Sequence, residues 1–190
     1  MDRILATDST ANLLVSVAWR APGRSRREIA ARLRGLGDEA PLVSPTGRRG
    51  VMAVRSTLDP REVIRRLRAL QSSAPGAFRF TYKWVPVDLW SAPDVASLRE
   101  AVRCLRDRIA PGERWRITVE RRARGCAPAA EIIAAVADLV ERKVDLVQPD
   151  KVLLIEVFDS RVALAVVTAD DVFTVAGAAA PEHAISRRVS

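Results

Sequence analysis

The side chains with most chemistry to offer are arginines. Arg121-Arg122-Ala123-Arg124 form one cluster, and Arg48-Arg49 form another beside the turn text Thr46-Gly47. Arg61, Arg65 and Arg68 recur at helical spacing, as do Arg99, Arg103 and Arg106, so each set would line one face of a helix. A guanidinium is planar, permanently charged and grips phosphate through a two-pronged fork; it also stacks on bases. Such residues suit RNA. Solvated helix faces account equally well for the two spaced rows. Only Lys83, Lys143 and Lys151 are lysines. GC-rich coding accounts for arginine over lysine as readily as function does, but it does not create an excess of positive charge.

Other chemistries lack their parts. One histidine, His183, and two distant cysteines, Cys104 and Cys126, cannot close a tetrahedral zinc site. Gly47 and Gly50 flank arginines with no Lys-Ser/Thr pair after them, so no phosphate-cradling loop is expected. Cys126 has Arg122 and Arg124 beside it, which could lower a thiol pKa, but no histidine lies near it in sequence. Glu156 and Asp159 are expected at a strand end and turn, where they would only be solvated. The chain is expected not to be an enzyme, and to carry no cofactor and no metal. Reduced thiols, the absence of an apolar run of about 20 residues and the absence of a leader core predict a cytoplasmic protein.

The charge is unevenly placed. Lys and Arg total 31 against 23 Asp and Glu, a net +8, and the sequence pI is about 10.8. Residues 1–91 hold 16 basic and 8 acidic groups, whereas 92–190 hold 15 of each. Within the second part, 94–124 is basic and 125–190 acidic. A polarised chain of this kind presents one end to a polyanion. With 48% hydrophobic residues, it can build a packed core at a length that allows one domain or two small ones.

The elements that would position these residues follow from periodicity. Leu13, Val15, Val17 and Trp19 alternate with Leu14, Ser16, Ala18 and Arg20, which predicts a strand with one buried face, broken at Pro22-Gly23. A helix from Ser25, carrying Ile29, Leu33 and Leu36, ends at Gly37. Short strands follow over 41–44 and 50–55. Asp59-Pro60 caps a second helix, with Val63, Ile64, Leu67 and Leu70 inward. Phe78, Phe80, Tyr82 and Trp84 then alternate as a strand. The order is β-α-β-β-α-β, that of a ferredoxin-like unit. Pro86 to Pro93, with Trp90, reads as a connection, and Trp84 and Trp90 would serve interdomain packing.

Asp94 caps the next helix. The strand Trp115–Val119 follows, then a helix from Pro128 through Val140, a tight connection over 144–150, and two strands, 151–158 and 161–168, joined as a hairpin at Asp159-Ser160. A further strand could run through Val175 before an alanine-rich end that frays. The expected layout is an α/β (α+β) chain. A ferredoxin-like domain spans 1–90, a second α/β domain 91–180 and a disordered tail 181–190.

This second half resembles the THUMP domain, an RNA-binding module of tRNA-modifying proteins. The likeness rests on the order helix, strand Trp115-Arg116-Ile117-Thr118-Val119, basic cluster and helix. It rests also on the text Lys143-Val144-Asp145-Leu146, then Gln148-Pro149-Asp150 before the strand Val152–Val157, with Gln148 where family members commonly have Asn. Lys83-Trp84-Val85-Pro86-Val87 resembles the family's segment between a small ferredoxin-like domain and THUMP. The resemblance implies recognition of the 3′ acceptor end of tRNA. It places RNA contacts at Lys83, Arg116, Arg121, Arg122, Arg124 and Lys143. Pro149 and Asp150 would be structural, shaping the turn. Family enzymes add a catalytic domain, for which these 190 residues leave no room. The chain therefore resembles the stand-alone THUMP adaptors that present tRNA to a separate cytidine N4-acetyltransferase. An RNA-binding subunit of a split methyltransferase or thiolation enzyme, or a protein-interaction module that binds no RNA, are the alternatives.

Overall fold

The computed structural model describes residues 10–176; the N-terminal arm, His183 and the tail 181–190 fall outside the described residues. Its first elements are β1 (Leu13–Val17), α1 (Pro22–Gly35), β2 (Leu42–Pro45), β3 (Val51–Arg55), α2 (Pro60–Ser73) and β4 (Thr81–Pro86). There follow β5 (Leu89–Ser91), α3 (Val95–Leu105), β6 (Trp115–Arg121), α4 (Ala129–Val136), β7 (Lys151–Val157), β8 (Val162–Val167) and β9 (Phe173–Thr174). Single 3-10 turns close α3 and α4 and precede β9.

The chain divides into two units, one of residues 10–86 with 171–176 and one of residues 87–170. In the first, the β-α-β-β-α-β order read from the sequence is present. Its sheet runs β2-β3-β1-β4-β9, with every neighbouring pair antiparallel. Ile29 and Leu33 of α1 and Val63, Ile64 and Leu67 of α2 bury their stripe against Leu13, Val15, Val17 and Trp84. Asp59 caps α2 as expected, accepting from the N–H groups of Arg61 (2.9 Å) and Glu62 (2.8 Å). Helix α1 starts at Pro22 rather than at Ser25. Proline is pre-set for the first helical turn, so Pro22-Gly23 opens the helix and does not break the strand, which has already ended at Val17.

Three other expectations change. Strand β1 stops at Val17, which leaves Trp19 46% exposed instead of in the core. Strand β4 begins at Thr81, and a register shift at Ser16/Val17 breaks the parity that the alternating aromatics suggested. Phe78 and Trp84 are core, and Phe80 and Tyr82 are half-buried. The expected boundary at 90/91 also differs from the structure. Leu89–Ser91 pairs with β8 in the second sheet, and Phe173–Thr174 pairs with β4 in the first.

The second unit is a four-stranded sheet of order β5-β8-β7-β6. β6 and β7 run parallel in unbroken register from Trp115↔Lys151 to Arg121↔Val157, a pairing that requires the crossover supplied by α4. β7 and β8 form the expected hairpin. Leu98, Val102 and Leu105 of α3 and Ile132 and Val136 of α4 cover Trp115, Leu153, Ile155 and Leu164. Helix α4 is shorter than the periodicity implied, passing into a 3-10 turn at Ala137. Trp84 is wholly buried in the first core, and Trp90 packs on Phe158 and beneath the Arg161 guanidinium, 3.9 Å from its ring centroid. Each indole is thus accounted for inside its own unit.

Candidate nucleic-acid interface

The six residues expected to touch RNA do not form one group. Lys83 lies on β4 of the first unit, and the other five belong to the second. Arg116 stands near the start of β6 and Arg121 at its end, about 16 Å apart along an extended strand. These five residues of the second unit therefore fall into two clusters, one at each end of β6.

At the start of β6 the loop 142–150 is pinned to the strand. The Trp115 N–H donates to the Lys143 carbonyl (3.0 Å), and its indole N–H donates to the Arg142 carbonyl (3.1 Å). Arg116 donates to the Leu146 carbonyl at 2.9 Å, so its guanidinium braces the loop. Arg114 reaches Asp145 (3.1 Å) and Asp150 (3.1 Å). Asp150 also accepts the Arg114 N–H at 2.8 Å, which gives it the turn-holding contacts that the text Pro149-Asp150 suggested. The side-chain and backbone bonds from Arg114 hold the Asp150 carboxyl below its ordinary pKa. Asp145 is lowered as well, chiefly because it accepts the N–H groups of Gln148 and Val147. Lys143, within this loop, has an exposed side chain.

The other cluster is built differently. Glu120 and Glu156 face each other across the parallel β6–β7 pair, which would set two carboxylates side by side. Arg122 lies between them, donating through Nε to Glu156 Oε2 (3.1 Å) and through its terminal nitrogen to Glu120. Glu156 is 2% exposed and the Arg122 side chain 14%. Burial alone would lower the Arg122 pKa, but the two carboxylates outweigh it and raise it. The expectation of Arg122 as a surface RNA contact, and of Glu156 as a solvated carboxylate, is therefore corrected: they are a buried ion pair. Arg121 is also a brace. Its Nε donates to Cys126 Sγ (3.2 Å) and a terminal nitrogen to the Cys126 carbonyl (2.9 Å).

Those two arginines shape the loop that displays the third. The N–H groups of Arg122 and Ala123 both donate to the Val157 carbonyl, at 2.8 and 3.0 Å, and Gly125 turns the chain with φ +73°. Arg124 is exposed, and its guanidinium has no partner among the described residues. It stands on the rim of a cleft of about 290 Å³ whose floor includes Leu98, Ile132, Val157 and Val162, with Glu131 at the edge. The cleft can take a flat apolar ring while Arg124 holds an anion. Sequence reasoning found the arginines but not the braces. One signal was available, a glutamate inside the apolar run Val152–Val157, which in a buried strand demands a cation.

The arginine rows are engaged within their own units. Arg99 forms paired bonds of 2.8 Å to Asp138, tying α3 to the end of α4, and Arg103 meets Glu100 at 3.2 Å. Arg61 approaches Asp171 at 3.7 Å, Arg65 pairs with Glu62, and Arg68 donates to the Val172 carbonyl (2.9 Å). Cys104 and Cys126 are free thiols.

Comparison with known proteins agrees with this architecture. No curated protein matches the sequence. The fold is similar to that of PH1313 from Pyrococcus horikoshii Ot3, with TM-score 0.60 and 10% identity over 86% of this chain and 55% of that one. It is similar to TrmN from Thermus thermophilus, with TM-score 0.54 and 14% identity over 81% and 44%. A 4-thiouridine synthetase solved with RNA and ATP gives TM-score 0.51 and 14% identity over 83% and 41%. The chain spans about half the length of these structures, and at such identities the likeness is one of fold. The family match is more specific, covering α3 through β8 and so both clusters of cations. Residues 94–167 of this chain match the THUMP domain.

Proposed function

We propose that this chain binds RNA in tRNA modification. It takes the single-stranded 3′ end of tRNA at the Arg124 cleft and presents the tRNA to a separate enzyme. The reading is carried by the THUMP domain at residues 94–167, in which a braced loop holds an exposed arginine over an apolar cleft. A terminal phosphate meets the Arg124 guanidinium while an unstacked base covers the apolar floor. Because Arg121 and Arg122 already fix the loop, little conformational entropy is lost on binding. Lys143, Arg116 and Lys83 are secondary contacts with the phosphate backbone. In this proposal the chain has no catalytic residue and needs no cofactor. The likeness to stand-alone adaptors makes a cytidine N4-acetyltransferase the proposed partner.

The test is a titration with deacylated tRNA across a salt series. RNA binding should weaken steeply with salt, with a slope of about −0.7 per phosphate contacted on a single strand. Removing the four unpaired 3′ nucleotides should remove most of the affinity. A protein-interaction module would show neither effect. Co-purification identifies the enzyme: recovery of a methyltransferase or a thiolation enzyme in place of an acetyltransferase would replace the proposed partner and leave the RNA reading intact.

A further inference from the structure

One end of the first sheet gathers the exposed ring of Trp19, the half-buried ring of Phe80 and exposed arginines, apart from residues 94–167. The backbone brings them together. The Val17 N–H donates to the Gly50 carbonyl (2.8 Å), and the Ala18 N–H donates to the Phe80 carbonyl (2.9 Å). Buried Ser25, in the first turn of α1, donates to the Ala21 carbonyl at 3.0 Å with the Phe80 carbonyl 3.3 Å away. The ends of β1, β3 and β4 and the start of α1 thus converge. Gly50, at φ +79°, lets the β2–β3 turn lie against Trp19, whose Cβ would be 3.7 Å from any added side chain.

Cations lie over the rings assembled there. The Arg20 Cζ is 4.6 Å and the Arg49 Cζ 5.9 Å from the Trp19 ring centroid, and the Arg24 Cζ is 5.7 Å from that of Phe80. All three arginines are exposed. The neighbouring carboxylate, Glu28, is taken up by the chain itself. It accepts the N–H groups of Arg79 (2.9 Å), Phe80 (3.1 Å) and Thr81 (3.0 Å) and the Thr81 hydroxyl (2.8 Å). None of Arg20, Arg24 and Arg49 pairs with a carboxylate among the described residues. Across residues 10–86 there are 15 basic and 5 acidic side chains.

We propose that this patch, centred on Trp19 with Arg20 and Arg49, is a second nucleic-acid contact, taking a single RNA strand by its phosphates and one unstacked base. An acidic peptide would satisfy the guanidinium groups but brings no π face to the exposed indole. A nucleotide supplies both a phosphate and a π face, which matches cations alternating with rings. The contact reads no sequence, because every base has a π face and every phosphate a charge. It is separate from the Arg124 cleft and would hold a stretch of RNA other than the 3′ end.

Tryptophan emission reads it directly. Trp84 and Trp115 are buried at 0% and 1% exposure and Trp90 is covered by Arg161, so Trp19 dominates the accessible signal. The full chain is titrated with a ten-nucleotide oligouridylate at low salt. Saturable quenching is expected, and Trp19→Phe should abolish it. The double variant Arg20→Gln/Arg49→Gln, with unchanged circular dichroism, should weaken binding at least tenfold and flatten the salt slope by about 1.4. Arg124→Glu should leave the quench unchanged. The proposal is overturned by quenching that survives Trp19→Phe, by a double variant that binds like wild type, or by loss of the quench in Arg124→Glu. Polyglutamate of equal length that quenches with the same dependence on Arg20 and Arg49 would assign the patch to an acidic protein instead. Failure of the 3′-end reading is separate: it would appear as tRNA affinity indifferent to Arg124→Glu while the oligouridylate quench persists.

Discussion

Arg122 and Arg124 are two residues apart and should respond oppositely to substitution. Arg122 neutralises Glu156, which is buried at 2% exposure, and Glu120 beside it. Removing one partner of a buried ion pair leaves an uncompensated charge and costs about 3–5 kcal/mol. Arg122→Ala is therefore expected to lower stability by that amount in urea unfolding, and any loss of RNA binding should follow the loss of fold. Arg124→Glu should leave the urea midpoint within error while weakening tRNA binding by on the order of tenfold, the effect of a rim charge on a phosphate. The reverse pattern, a stable Arg122 variant with lost binding, would return Arg122 to the contact surface.

The 142–150 loop shows why one element depends on acid–base state. Asp150 holds the Arg114 N–H and guanidinium, and Asp145 holds two N–H groups of its own turn, so both carboxyls are depressed in the folded chain. A depressed carboxyl binds fewer protons folded than unfolded. Its contribution is present above the ordinary aspartate pKa of about 3.9 and is lost as pH falls through the lower folded value. The melting temperature should therefore drop below about pH 4, and Asp150→Ala should show a shallower drop. At neutral pH that variant should melt a few degrees lower with little change in RNA affinity. An unchanged melting profile with lost binding would make Asp150 a contact residue.

At the scale of the molecule, the chain leaves its first unit at residue 86 and returns to it at 171. The return is a packing event. Phe173 pairs opposite Trp84 on β4, and its ring meets Phe78 edge-on at 5.1 Å, with Val175 buried beside it. Phe173→Ala should cost about 3–5 kcal/mol, as truncation of a buried aromatic does. Near-ultraviolet circular dichroism should report a loss around the Phe78 and Trp84 rings. Stability equal to wild type would show that the short β9 strand is dispensable to the first sheet.

Local text was enough for the order of the elements apart from β5, which read as a connection, because helix and strand periodicity, the Asp59-Pro60 cap and the β7–β8 hairpin act over a few residues. It was also enough for the THUMP likeness, whose order and VDL text are contiguous. Which arginines are available was decided elsewhere. Arg122 is claimed by a glutamate 34 positions away, a pairing created by the parallel register of β6 and β7. Trp19 continues the alternation of Leu13, Val15 and Val17, yet it is exposed because its strand ends two residues earlier. Periodicity records what a side chain could face. Only packing determines whether a neighbour, a counter-charge or solvent occupies that place, because those partners arrive from distant parts of the chain.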